Sequence, residues 1–125
     1  MLLLDEVLEQ VGVSIVTQTT VREDTFFVHE GELPMMVAIE LFAQSAAALL
    51  SLRARRGSTI DIRSGALLGT RKIELLEPAC RVGDVLTTHC TESIAVGPTA
   101  QIECKLLRDG ATVARGSVNV MAGAL

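Results

Sequence analysis

Residues 29–50 read HEGELPMMVAIELFAQSAAALL: a histidine, a short glycine-containing turn, then a run that is apolar almost everywhere except at Glu40 and Gln44. Pro34 suits the first turn of a helix, where a missing N–H costs nothing. The helix is then expected to run to Arg53-Ala54-Arg55-Arg56, with Gly57 placed to end it and the arginines complementing the negative end of its dipole. Apolar residues from Met35 to Leu50 cover its full circumference, so the pattern predicts a helix that is surrounded and not one with a wet face. With a single helix available, a sheet has to curl around it, and a second copy of the chain is expected to cover what one sheet leaves open.

The rest of the sequence supplies that sheet. Residues 11–21, VGVSIVTQTTV, are rich in β-branched residues and read as a strand, followed by a charged connection from Arg22 to Glu32. After a polar connection, 58–64, further strands are expected over 65–76, 85–93, around QIECKLL (101–107) and over 112–121. Residues 78–84 read as a turn, and Asp109-Gly110 is the strongest hairpin signal in the chain. In QIECKLL, Ile102, Cys104 and Leu106 share one face and Gln101, Glu103 and Lys105 the other; the last strand places Ala114, Gly116, Val118 and Val120 on one side and Arg115, Ser117 and Asn119 on the other. The prediction is an α+β chain of 125 residues forming a single domain, one long helix wrapped by an antiparallel sheet of about five or six strands.

Composition narrows the function. The chain has 2% aromatic residues, no Trp or Tyr, and a net charge of -4, which argue against stacking on bases and against a general nucleic-acid binder. Cys80, Cys90 and Cys104 lack metal-ligand spacing and read as reduced thiols of a cytoplasmic protein. MLLLDEV has too short an apolar run and no basic start for a signal peptide. Residues 35–52 approach membrane-spanning length, but a Glu near the middle of a span is unfavourable by on the order of a few kcal/mol. No P-loop, HExxH, GxSxG or dinucleotide-binding glycine motif is present, and no metal or other cofactor is expected.

Inside an apolar helix, Glu40 carries a desolvation cost unless it is paired or a cavity wets it. A carboxylate at such a partly dry site is the usual preparation for general acid or base work. His29 lies eleven residues upstream in the loop leading into the same helix, and Gln44, one turn on, shares the face of Glu40 and is placed to hydrogen-bond it. Backbone N–H groups near Met36 and Val37, at the positive end of the helix, are placed to polarise a carbonyl oxygen. Together these parts suit proton abstraction next to a carbonyl. The plainer readings are a structural carboxylate at a dimer interface, a solvated loop histidine at His29, and a structural role for His89. The RARR cluster with Arg63, Arg71 and Lys72 reads as a solvated face, or as a docking patch for an acidic partner.

The stretch LPMMVAIELFAQSAA resembles the central-helix signature of the hot-dog-fold 3-hydroxyacyl-ACP dehydratases, with Pro34, Glu40, Ala43 and Gln44 in register. MLLLDEV, GALLGTRKIELLEPACRVGDVL and VARGSVNVMAG resemble, in order, that family's first strand, the strand and turn after the helix, and the closing strand. The likeness covers nearly the whole chain and is nearest to a branch some of whose members serve aryl polyene synthesis. It implies a hot-dog fold and removal of a C2 proton by His29. It further implies protonation of the leaving hydroxyl by Glu40 of the opposite subunit, and a chain-binding tunnel lined by helix and sheet. The substrate would be a phosphopantetheine-linked acyl chain on acyl carrier protein, an acidic partner. A homodimer is implied, with higher assembly or a mixed hot-dog dimer as alternatives. His29 stands three residues nearer the acid than the family's histidine, Pro34-Met35 replaces Pro-Gly, and the family's preceding Pro-His-containing segment is not represented, as a late start assignment would produce. Two other functions fit the same scaffold: a thioesterase in which Glu40 activates water, and a non-catalytic partner subunit.

Overall fold

The computed structural model describes residues 2–57 and 62–124, without the side chains of residues 53–57, 62–66 and 122–124. The arginines at 53, 55, 56 and 63, expected to form a solvated face or docking patch, therefore lie outside the described side chains. The chain runs β1 (Glu6–Val11), β2 (Ser14–Thr20), β3 (Glu32–Pro34), α1 (Val37–Gly57), β4 (Ile62–Leu75), β5 (Ala79–Arg81), β6 (Val85–Val96), β7 (Thr99–Arg108) and β8 (Ala111–Ala124). Six strands form one antiparallel sheet in the order β1-β2-β6-β7-β8-β4, and β3 pairs with β5 in a separate ribbon. This is the expected α+β plan, one helix packed against a curled sheet of six strands.

Alternation decides which side of the sheet meets the helix. Leu86, Thr88 and Cys90 of β6, Ile102, Cys104 and Leu106 of β7, and Ala114, Val118 and Val120 of β8 are all buried. From α1 they receive Ala38, Leu41, Phe42, Ala46 and Leu49, each at most 1% exposed. Burying a Leu or Phe side chain stabilises by about 1.5–3 kcal/mol, so this face alone accounts for the docking of the helix. One polar contact crosses the same layer: Thr17 Oγ1 and Ser45 Oγ lie 2.8 Å apart and buried, fixing α1 against β2. Asp109 and Gly110 have φ values of 52° and 79°, the pair of left-handed residues that a tight β7–β8 hairpin requires.

Three expectations are corrected. The single strand over 11–21 is the second half of a hairpin: Glu6–Val11 pairs back on Ser14–Thr20, with the turn at Gly12-Val13. Its first half escaped the strand reading because acidic residues interrupt it, and its side chains are mostly exposed. Pro34 does not open the helix but closes β3 opposite Ala79, so α1 begins three residues later, at Val37. The turn over 78–84 contains β5, which pairs with β3 and with no other strand among the described residues. The far side of α1, with Ile39, Glu40, Ala43, Gln44, Ala47 and Leu50, is half-buried and not fully enclosed by the chain's own sheet.

Candidate functional site

His29 opens a very tight hairpin. Its N–H donates to the Glu32 carbonyl at 2.9 Å, and the Glu32 N–H donates back to the His29 carbonyl at 3.0 Å. Glu30 and Gly31 between them have φ values of 52° and 77°, the same two-residue left-handed turn as at Asp109-Gly110. The Gly31 carbonyl accepts the Val82 N–H at 3.0 Å, tying the turn to the end of β5. This is how the loop is shortened: a two-residue turn holds the main chain of His29 while its side chain stands 87% exposed, with Glu30 Oε1 at 3.9 Å from Nε2. Next to it, Phe26 and Phe27 are exposed and stack edge to face at 4.6 Å between ring centroids. From His29 the β3–β5 ribbon carries the chain to the mouth of the helix, where the Met35 N–H donates to the Pro78 carbonyl at 3.0 Å.

At that mouth the N–H groups of Ala38 and Ile39 turn back to the carbonyls of Met35 and Met36, at 2.9 and 3.2 Å. Those of Met36 and Val37 make no main-chain bond among the described residues and are the available donors. Met36 presents an exposed side chain, 69% accessible, whereas the Val37 side chain is buried, so only the main chain of Val37 can meet a ligand there.

One turn further on, Gln44 Nε2 donates to Glu40 Oε1 at 2.9 Å. The direction of the Gln44 amide is set from outside the helix, because its Oε1 accepts the Leu3 N–H at 2.8 Å. The N-terminal segment is thus a third member of the relay Leu3–Gln44–Glu40. Nothing in the side-chain pattern of MLLLDEV could have disclosed it, because the donor is a backbone N–H. Glu40 and Gln44 form the polar end of a cavity of about 280 Å³ whose other walls are Ala43, Ala47, Leu50, Leu67 and Val120. The apolar helix accommodates its carboxylate for a local reason: Glu40 is half-buried, held by an oriented amide, and faces a small apolar space.

The structure brings Glu40 and Gln44 together and leaves His29 apart from them. No hydrogen bond or ion pair joins His29 to Glu40 among the described residues, and His29 does not line the Glu40 cavity. His89 lies on the opposite face of the sheet, in a groove that also holds Lys105. Among the described residues there is no cluster of His, Cys, Asp and Glu fit to hold a metal ion, and no helix is long and apolar enough to cross a membrane. Cys80, Cys90 and Cys104 are buried free thiols.

An antiparallel sheet curled on one long helix is the architecture of a hot-dog protein, here with a carboxylate in the helix's first turn. The chain belongs to the ApeP-like dehydratase family, whose model matches residues 1–124. Among solved structures it is similar to the dehydratase heterocomplex ApeI:P from Xenorhabdus doucetiae, at 25% identity and TM-score 0.90, covering 98% of this chain and 83% of that one. It also resembles a hypothetical thioesterase from Streptococcus pneumoniae solved with coenzyme A, at 18% identity and TM-score 0.72, over 95% of this chain and 85% of that one. A variant of the phenylacetic acid degradation protein PaaI from Thermus thermophilus aligns at 19% identity and TM-score 0.70, over 94% and 92%. These last two likenesses are of fold alone. No curated protein matches the sequence.

Proposed function

We propose that this chain, a single hot-dog domain over residues 1–125, dehydrates a 3-hydroxyacyl thioester carried on acyl carrier protein to the 2-enoyl thioester. The observation that carries the reading is the Glu40 carboxylate, oriented by Gln44 at the polar end of an otherwise apolar cavity. An acyl chain lying along Ala43, Ala47 and Leu50 brings its 3-hydroxyl to Glu40. His29 of a partner subunit removes the C2 proton, negative charge gathers on the thioester oxygen, and the Met36 and Val37 N–H groups receive it. Glu40, entering the step in its acid form, then donates its proton to the hydroxyl as the C3–O bond breaks, water leaves, and Glu40 is left as the carboxylate while His29 holds the C2 proton. Membership of a dehydratase family supports this direction of chemistry over hydrolysis.

The half-buried far side of α1 and the exposed His29 both support a dimer as the working unit. The solved relative is a heterocomplex, which supports a mixed hot-dog dimer beside the homodimer as the form in which the site is completed. The test is mass spectrometry of a 3-hydroxyacyl carrier-protein thioester before and after incubation with the protein. Loss of one water with the thioester intact is expected, and the His29→Ala variant should not produce it. Release of the acyl group as free acid would replace this reading with a thioesterase. Full dehydration by His29→Ala would remove His29 from the mechanism.

A further inference from the structure

A larger concavity than the one beside Glu40 lies elsewhere on the chain. It is a groove of about 650 Å³ on the outer face of the sheet. The register gives its floor directly. His89 of β6 sits opposite Lys105 of β7, Lys105 opposite Arg115 of β8, and Arg115 opposite Glu74 of β4. The next row along the strands is Thr91, Glu103, Ser117 and Arg71. Leu67 and Val120, which border the Glu40 cavity, belong to the other face. The groove is therefore separated from the Glu40 cavity by the thickness of the sheet.

Two features of this row run against ordinary sheet chemistry. Like charges directly opposite one another destabilise a sheet, yet Lys105 and Arg115 are cross-strand partners at its centre. Arg115 Nη2 has Glu74 Oε2 at 3.1 Å, but no ion pair holds Lys105, Arg71 or Lys72 among the described residues. Four cations thus line a groove containing two carboxylates, on a chain whose net charge is -4. Of the two carboxylates, Glu103 is already engaged by Gln101 Nε2 at 3.1 Å and Ser117 Oγ at 2.8 Å. The field is felt by His89, whose proton affinity is pushed down by burial first and by Lys105 next, with Glu9 opposing.

The rim is shaped by a β-bulge. Arg71 pairs with Ser117 and Glu74 with Arg115, so Lys72 and Ile73 together oppose Gly116. Lys72 takes a φ of 53°, which a lysine rarely adopts. Ile73 packs so closely on Gly116 that a Cβ there would lie 2.4 Å from its Cδ1 and 3.0 Å from its Cα. Bulges re-aim side chains at functional edges, and this one places two consecutive cations on the groove.

We propose that this groove binds a small polyanion of the diphosphate type, with Lys105 at its centre and Arg71 and Lys72 at the β4 rim. Lys105 and Arg71 stand two strands and one two-residue step apart, on the order of 12 Å between their Cα atoms, a span that long, flexible Lys and Arg side chains can close by converging on adjacent phosphoryl groups. The groove is concave though half-open, a shape that fits a small ligand better than the flat patch an acidic protein surface needs, and its lining holds no aromatic residue other than His89 on which to select a base. This site is independent of the reaction proposed above.

The experiment is calorimetric titration of the full chain with inorganic pyrophosphate at fixed ionic strength, with amide and His89 ring NMR shifts recorded in parallel. Saturable binding is expected, with shifts concentrated at His89, Lys105, Arg115 and Ser117. Lys105→Gln and Arg71→Gln should each weaken it by about tenfold or more, while Arg81→Gln, outside the groove, should not. Because Lys105→Gln relieves a like-charge contact, its Tm should be unchanged or raised, which separates lost binding from lost folding. Absence of saturable binding, equal loss in all three variants, or the same response to sodium chloride at matched ionic strength would overturn the proposal. Loss of carrier-protein binding in the groove variants, with no pyrophosphate binding by the unmodified chain, would overturn it in favour of an acidic protein surface.

Discussion

If His29 and Glu40 act across a subunit interface, two inactive variants should restore one another, and the size of the recovery is fixed by symmetry. His29→Ala and Glu40→Gln should each lower dehydration by about 10²–10⁴-fold, the usual contribution of a general acid or base. Mixed in equal amounts and allowed to exchange subunits, about half of the dimers become mixed. Each mixed dimer has one site that lacks both groups and one that holds His29 from one chain and Glu40 from the other. The mixture should therefore recover about one quarter of the unmodified activity. The reason to expect this lies within one chain: His29 is held on a turn with its imidazole 87% exposed, and the cavity of Glu40 is walled by α1, Leu67 and Val120 without it. The assay is formation of the enoyl thioester by mass spectrometry, with native mass spectrometry to count mixed dimers. A second mixture sharpens the result. Unmodified chain mixed equally with the double variant should give about a quarter of full activity if the residues act in trans, and about half if they act within one chain. Mixed dimers that stay at background in the first experiment would refute the trans arrangement in a homodimer.

Other outcomes follow from particular contacts. Ser45→Ala leaves the buried Thr17 hydroxyl, 2.8 Å away in the native chain, without its partner and should cost about 1–3 kcal/mol in urea unfolding. The pair Thr17→Val with Ser45→Ala should recover most of that loss, and a double variant as unstable as the single one would show that the bond is not the cause. Gly31→Ala forces a side chain onto a φ of 77° and should destabilise the His29 turn by about 1–2 kcal/mol, lowering dehydration while leaving Glu40 and Gln44 in place. For Asp5, burial works to raise the carboxyl pKa, but the Thr20 N–H and Arg22 outweigh it and hold the carboxyl below its ordinary value of 3.8. A depressed carboxylate contributes stability above its unfolded value and loses it as pH falls through the folded one. Asp5→Asn should therefore flatten the acid limb of the stability curve near and below pH 3.8, and leave its shape near neutrality unchanged. Contact with Cys90 at 3.0 Å, then burial, pushes the Cys104 thiol up, so iodoacetamide at neutral pH should label it only after unfolding, as followed by intact mass.

Much of the architecture is written in local pattern. The all-round apolar helix, the alternation in QIECKLL and the Asp109-Gly110 turn each correspond to an element in place. What was illegible depended on partners distant in sequence. Pro34 looks like a helix opener until Ala79 is known to pair with it, and β5 looks like a turn because three residues become a strand only when β3 lies alongside. The same holds for the site. Glu40 and Gln44 are neighbours by helical spacing and could be read as a pair, whereas the Leu3 N–H that turns the Gln44 amide toward Glu40 is forty-one residues away. The outer groove was less visible still. Lys105 and Arg115 stand in separate strands whose outward positions look ordinary one at a time, and only the register makes them opposed like charges.

That contrast separates two kinds of polar residue in this fold. On the inner side, the polar groups around α1 are satisfied by other parts of the same chain: Thr17 by Ser45, Thr19 Oγ1 by the Leu3 carbonyl, and Gln44 by both Leu3 and Glu40. Such groups hold the helix at a fixed depth and make the Glu40 carboxylate a prepared feature of the cavity. On the outer side, Lys105 is set between His89 and Arg115 with no ion-pair partner among the described residues, at a cost to the sheet. A contact that stabilises the fold needs no further explanation. The Lys105–Arg115 contact opposes the fold and lines the outer groove, and this is the ground for proposing an anionic occupant there.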